Sequence, residues 1–387
     1  MAIAITALAG GQDYLVLMQR MVMFCDVFRG KSVFVTGHTG FKGSWLSLWL
    51  HHLGAKVHGY SLAPPTTPNH FTQSGITDVL QEHLIADVRD TGRLRQAIEA
   101  AEPDLIFHLA AQTVVKTGYT DPFETFSTNV MGTVSLLEAI RTIGRPCSAI
   151  LITSDKCYEN REQVWGYREC DPMGERDPYG GSKGAAELAI RSYRESYFPP
   201  TKSDIHGIRI ASARAGNVIG GGDWTDHALV VDMVKALSEN RPISIRSPNA
   251  FRPWQHVLQA LHGYLTLAVR LLGESGFKYC SGWNIGPLPG NEIPVHQVVS
   301  RFLKEWGSGR WEDRSEHHSH REAEILRLSI DKALWELNWK PVWDIDKTIQ
   351  ATAAWYKQWM SNPHSTRDCS LRQIVAFEHD ASLLCQC

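Results

Sequence analysis

Residues 31–61, KSVFVTGHTGFKGSWLSLWLHHLGAKVHGYS, decide the fold. Val33, Phe34 and Val35 form the centre of a short β-strand over 31–36. Gly37, Gly40 and Gly43 then mark a turn, and SWLSLWLHHLG carries Trp45, Leu46, Leu48, Trp49, Leu50 and Leu53 at helical spacing. Gly54 closes that helix, and AKVHGYSL reads as a second strand. Strand, glycine turn, helix and strand make the unit that seats a dinucleotide. Glycines permit the tight turn and let the backbone approach a pyrophosphate, and a helix N-terminus attracts its charge. The spacing is GxxGxxG rather than GxGxxG, so the strand and helix on either side carry the reading. A ribose-binding acid is expected where the second strand ends, but Tyr60 and Ser61 stand there, with no Arg suited to a 2′-phosphate.

The alternation continues outward. A third strand over 83–90 places Asp87 toward an adenine, and strands at 105–112 and 147–155 alternate with helices at 91–104 and 125–144. Asn129 lies early in the second of these helices. GIRIASARAGNVIGGG supplies a sixth strand and another glycine-rich turn. This predicts an α/β fold, a Rossmann-type doubly wound parallel sheet with ligands outside the carboxyl ends of its strands, and a smaller C-terminal substrate-binding lobe. WNIGP at 283–287 is read as a strand of that lobe.

Composition excludes several classes. The 387 residues carry a formal charge of −2, without the basic stripe of a nucleic-acid binder. Eight scattered Cys form no CxxC pair, which reads as reduced thiols in a cytoplasmic protein. No apolar run is long enough to span a bilayer, and the first 27 residues lack the basic start of a signal peptide. His317, His318, His320 and Glu322 do not have HExxH spacing, so they read as a polar loop and no metal is expected.

The chemistry concentrates in 153–183, TSDKCYENREQVWGYRECDPMGERDPYGGSK. A strand end delivers Ser154, Asp155 and Lys156, and a helix start delivers Tyr179 and Lys183 one turn apart. An ammonium group near a phenol favours the phenolate and makes Tyr179 a usable base. Asp155 and Lys156 add the carboxyl group and amine that an elimination requires. A Lys base would need burial or a second cation to keep it partly neutral.

TGHTGFKG, HLAAQ, Ser-Asp-Lys and YGGSK together resemble the extended short-chain dehydrogenase/reductase family of NAD-dependent epimerases and dehydratases. The longer strings ITSDKCYENREQVWGYRE, DPYGGSKGAAE, RAGNVIGGGDW and RPWQHV resemble its 4,6-dehydratases acting on CDP-glucose. The similarity runs from about residue 28 to residue 359. It implies four blocks: an N-terminal extension (1–27), an NAD-binding domain carrying the catalytic residues (28–215), a mainly nucleotide-sugar-binding lobe (216–360) and a C-terminal tail (361–387).

The resemblance also implies NAD as cofactor, a CDP-glucose substrate, a role in deoxysugar and polysaccharide biosynthesis, and a homodimer or homotetramer built on the helices near Thr125 and Tyr179. NAD would be held by Gly37, Thr39, Gly40, Phe41, Gly43, Asp87, Val88, Ala110, Ala111, Gln112 and Asn129, with Tyr179 and Lys183. Ser154 would hydrogen-bond the sugar O4. Asp155 is implied as the acid of water loss and Lys156 as the C5 base, although the residue types alone allow either to take the C5 proton. Asn217, Arg246 and Arg252 would hold the sugar diphosphate. Two alternatives remain: a dehydratase or 4-epimerase of another nucleotide sugar, which in the epimerase case has no use for an elimination pair, and a dinucleotide sensor, which has no use for Tyr179 and Lys183.

Overall fold

The computed structural model describes residues 24, 26–315 and 325–384. Most of the N-terminal extension and the 317–322 histidine segment lie outside these residues.

The first strand, β1 (Ser32–Thr36), leads through the glycine turn into α1 (Phe41–His52) and β2 (Lys56–Ser61). Then follow β3 (Glu82–Ile85), α2 (Thr91–Ala101), β4 (Leu105–His108), α3 (Gly132–Ile143), β5 (Cys147–Ile152), α4 (Pro178–Ser196) and β6 (Ile208–Arg214). A seventh strand, β7 (Gly282–Asn284), pairs in parallel with β6. The 283–287 stretch therefore extends the main sheet rather than the small lobe. Its Trp283 is fully buried, which an edge strand covered by helices requires.

All seven strands are parallel, in the order β7-β6-β5-β4-β1-β2-β3. The order reverses between β1 and β4, where a doubly wound sheet opens its ligand crevice. Gly37 sits there at φ +74°, and a Cβ on it would lie 2.6 Å from the Ala110 backbone nitrogen. Only glycine lets the turn lie this close to the end of β4.

The sheet has an apolar layer on each face, as expected when both sides of a parallel sheet are covered. One layer holds Leu94 and Ile98 of α2, Leu136 and Ile140 of α3 and Ile190 of α4. The other joins Trp45 and Trp49 of α1 to α5 (Leu229–Ser238), α6 (Val257–Leu272), α7 (Val295–Trp306) and α8 (Ile345–Ser361). The segment expected to be a tail forms α9 (Thr366–Leu384) and belongs to this second layer. Its Glu378 accepts a 2.7 Å hydrogen bond from the Trp49 indole, and Ile374 and Phe377 are fully buried. Short strand pairs, Ile243–Ile245 with Trp311–Asp313 and Phe251–Arg252 with Ile293–Pro294, build the small lobe. Among the described residues, no helix is long and apolar enough to cross a membrane.

Candidate active site

At the end of β5 the chain leaves the sheet as Thr153-Ser154-Asp155-Lys156, with a short 3₁₀ turn over Asp155–Cys157. Ser154 caps that turn: its hydroxyl accepts from the Lys156 N–H at 3.2 Å and donates to Asp155 Oδ1 at 2.9 Å. The Asp155 carboxyl group is buried, and Oδ2 has no hydrogen-bond partner. It lies so close to Gly216 that a Cβ there would overlap it at 1.7 Å. The acid is thus wedged between two strand ends with one oxygen held and one left over.

Opposite it, Asp177 caps α4 by accepting from Gly180 N–H at 3.0 Å, and Pro178 is preset for the first helical turn. The first turns of this helix carry Tyr179 and Lys183, both buried, so the structure brings Ser154, Asp155, Tyr179 and Lys183 together. Burial pushes the Tyr179 phenol above its ordinary value. The Ser154 hydrogen bond opposes this, and the Asp155 and Asp177 charges add to it. The sequence led to the expectation of a phenol lowered by Lys183, but in the dry cleft desolvation dominates. Lys183 itself is brought down to about 8, first by burial and then by the charge of Lys42. Lys156 is one-third exposed, with Nζ 3.9 Å from Asp177 Oδ2. Burial together with a neighbouring cation, the pairing that keeps a lysine partly neutral, therefore occurs at Lys183.

The site rests on a buried polar floor that sequence reasoning missed. Glu187, one turn beyond Lys183, accepts from Thr153 Oγ1 at 2.5 Å, Ser212 Oγ at 2.8 Å and Arg214 Nη2 at 2.7 Å. Burial works to raise this carboxyl group, but the Arg214 charge and these hydrogen bonds outweigh it and hold it below the usual range. Arg214 also donates to Tyr158 Oη at 2.7 Å, and Tyr158 donates to Asn284 Oδ1 at 2.6 Å, tying β5, β6 and β7 together.

Of the expected cofactor residues, Gly37, Gly40, Phe41 and Gly43 line the turn at the start of α1. Gly40 occupies the N-cap without a side-chain hydrogen bond, leaving the first N–H groups of the helix uncapped by a side chain. That turn fits a dinucleotide pyrophosphate. Ala110 and Ala111 follow β4 and are half-buried.

Asn129 sits in a π-helical turn, Ser127–Met131. It accepts from Gln112 N–H at 2.8 Å and donates to Gln112 O at 3.0 Å and Ser182 Oγ at 2.8 Å. Ser182 in turn donates to Tyr179 O at 2.7 Å, so Asn129 connects the end of β4 to the helix bearing Tyr179. The Gln112 side chain donates to Thr125 Oγ1 at 2.8 Å, and Thr39 Oγ1 donates to Leu62 O at 2.8 Å.

At the other end of the cleft, β3 stops at Ile85, so Asp87 lies beyond the strand. Arg89 grips it, with Nη2 2.6 Å from Oδ2, and also reaches Glu124 at 2.6 Å. Hydrogen bonding to Arg89 holds the Asp87 carboxyl group below its ordinary value, against the opposing effect of burial. Val88 is buried against Gly132. The end of β2 is covered by His38, whose ring lies over Gly59 and whose Nε2 is 2.7 Å from His83 Nδ1.

On the small lobe, Asn217 adopts φ +39° and its carbonyl accepts from Gln255 N–H at 3.2 Å. Arg252 is buried and donates to Phe251 O at 2.9 Å. Arg246 is exposed, and its charge acts on Asp232 of α5. Arg252 ends the Phe251–Arg252 strand, whereas Arg246 follows the Ile243–Ile245 strand. Among the described residues, no group of three or more His, Cys, Asp or Glu could hold a metal ion.

Residues 34–261 match the GDP-mannose 4,6-dehydratase family. The chain is 47% identical over 350 residues to the CDP-glucose 4,6-dehydratase of Salmonella typhimurium, covering 90% of this chain and 96% of that protein. The dTDP-glucose 4,6-dehydratase of Bacillus anthracis, solved in complex with NAD, superposes with a TM-score of 0.69 at 20% identity, covering 85% of this chain and 97% of that one. The UDP-glucuronic acid 4-epimerase of Bacillus cereus, solved with UDP-glucuronic acid and NAD, gives a TM-score of 0.69 at 21% identity, covering 84% of this chain and 99% of that one. At these identities the two structures speak to the fold alone.

Proposed function

We infer that this chain, which belongs to the GDP-mannose 4,6-dehydratase family, is an NAD-dependent dehydratase that converts CDP-glucose to CDP-4-dehydro-6-deoxyglucose. The family takes its name from one substrate. The choice of CDP-glucose follows the Salmonella relative, whose similarity spans nearly the whole of both chains. The structural observation behind an elimination is the buried carboxyl group of Asp155, with an unpartnered oxygen beside Ser154 and Tyr179.

NAD would be held at the glycine turn of Gly37, Gly40 and Gly43 and would supply the hydride chemistry, oxidation at sugar C4 and reduction at C6. The chain's own groups handle the protons. Tyr179 Oη takes the proton of the C4 hydroxyl, with Ser154 Oγ holding the sugar O4 by a hydrogen bond. A buried phenol resists ionisation, so Lys183 must be an ammonium group when Tyr179 gives up its proton. Once C4 is a ketone, the C5 proton is acidic. Lys156, at the mouth of the site, takes that proton when it is in its neutral amine form, and a proton carried on the free Asp155 oxygen passes to the C6 oxygen as water leaves. Asn129 and Gln112 hold the turn that supports this geometry. Asn217 and Arg252 face the sugar diphosphate, with Arg246 at the exposed rim.

The oligomer is a homodimer or a dimer of dimers. Phe123 is 82% exposed, and Met131 and Leu188 are also exposed, on the helical stretch before α3 and on α4. Light scattering should give an even multiple of the chain mass, and Phe123→Asp should shift it toward the monomer.

The function is tested by incubating purified protein with CDP-, dTDP-, UDP- and GDP-hexoses and NAD, followed by mass spectrometry. Loss of one water from CDP-glucose is expected. Water loss from a different nucleotide sugar instead would move the substrate, and isomerisation without mass change would indicate a 4-epimerase.

A further inference from the structure

Gly216 lies just beyond the end of β6. Its backbone does not take a left-handed φ, so the chain conformation alone would admit alanine. Yet the three heavy atoms nearest a Cβ at that place all belong to one carboxyl group: Asp155 Oδ2 at 1.7 Å, Cγ at 2.1 Å and Oδ1 at 2.6 Å. The acid of the site occupies the space that a side chain would take. Ser154 Oγ donates to its Oδ1 at 2.9 Å, and Oδ2 has no partner. The carboxyl group is therefore placed by one hydrogen bond and one glycine.

Gly216 is itself held. Gln255 is 2% exposed, and its Nε2 donates to Gly216 O at 3.2 Å and to Ile285 O at 3.0 Å. Its backbone N–H donates to Asn217 O at 3.2 Å, and Gln255–His256 pairs in parallel with Val218–Ile219. Ile285, just beyond β7, donates its N–H to Arg214 O at 2.8 Å. One side chain thus ties the segment bearing Gly216 and Asn217 to the ends of β6 and β7. Both of its acceptors are carbonyl groups, so the amide can only face them with its nitrogen. Its Oε1 is left buried with no partner. An amide kept with an unmet acceptor costs stability that an apolar residue would not. What the amide secures is the place of Gly216.

We propose that Gln255 is a positioning residue for the elimination step: through Gly216 it fixes the seat of the Asp155 carboxyl group, and so the direction of its free oxygen. A carboxyl group held through one oxygen can still turn about its last side-chain bond. The glycine packed against it takes up the space that this turn would use, and the glycine stays in place while its carbonyl is held. Delivery of a proton to the C6 oxygen depends on that direction, because donor and acceptor must come within hydrogen-bond reach. Oxidation at C4 uses Tyr179 and Ser154 and asks nothing of the free Asp155 oxygen. Loosening the seat should therefore separate the two steps.

The kinetic consequence rests on the dehydratase reading, and the seat itself is tested without it. Gly216→Ala should lower the melting temperature by about 5 °C in the wild-type chain, since its methyl group meets the carboxyl group. In an Asp155→Ala background the same substitution should cost less than about 2 °C, because the space has been vacated. Equal losses in the two backgrounds would overturn the proposal.

Gln255→Met keeps the length of the side chain and removes its donors. NAD-loaded enzyme is mixed rapidly with CDP-glucose. The absorbance of reduced nicotinamide follows C4 oxidation, and mass spectrometry of quenched samples follows water loss. Oxidation should stay within about threefold of wild type while water loss falls about a hundredfold, so that reduced nicotinamide accumulates. Equal slowing of both steps would overturn the proposal. Should Gln255→Met not fold, the same split is expected, and read, in Gly216→Ala. If wild type removes no water from CDP-glucose, the functional reading fails, and the paired melting temperatures still decide whether Gly216 seats Asp155.

Discussion

Two buried carboxyl groups flank the end of β5, and they are treated in opposite ways. Glu187, beneath the site, has both oxygens satisfied by Thr153, Ser212 and Arg214. Asp155, within the site, has one oxygen bonded to Ser154 and one bonded to nothing. Buried polar groups are nearly always paired, so an acid left short within a wall of paired ones marks where the fold gives up stability for chemistry. Glu187 holds strands together, and Asp155 is held ready by them.

Substitution should pull the two apart. Asp155→Asn should lower water loss from CDP-glucose by about 10²–10⁴-fold, the usual worth of a general acid. It should leave the melting temperature unchanged or raise it, because an underbonded acid is removed. Glu187→Gln should do the reverse. It strands the buried Arg214 charge and should cost about 3–5 kcal/mol in denaturant unfolding, with any loss of rate following the loss of folded protein. A large stability loss in Asp155→Asn would erase the distinction.

Between these in consequence is the pH profile. Lys183 is an ammonium group below about pH 8 and loses its proton above it, so turnover should fall as pH rises through that value. Glu378→Ala, far from the site, leaves the Trp49 indole without its acceptor and should cost about 1–3 kcal/mol with kcat unchanged. The smallest effect belongs to the exposed Arg191–Glu195 pair on α4, where Arg191→Ala should cost less than about 1 kcal/mol.

What the sequence made legible was local. The β1–α1–β2 unit could be read because its apolar spacing, glycines and helix stop all lie within one stretch of chain. Tyr179 and Lys183 could be read because a helix places them one turn apart. Glu187 lies one further turn along the same face, but its meaning depends on Arg214 and Ser212 from another strand. The α9 helix could not be read because its first turns are polar and its burial depends on α1, more than three hundred residues earlier.

The most direct test of the account follows one atom. CDP-glucose carrying deuterium at C4 is turned over by the NAD-loaded enzyme, and the product is examined by mass spectrometry and proton NMR. The account predicts loss of one water with the deuterium now in the C6 methyl group, because the hydride taken from C4 is the one returned to C6. A product that retains its C6 hydroxyl, or a dehydrated sugar with no deuterium at C6, would contradict it.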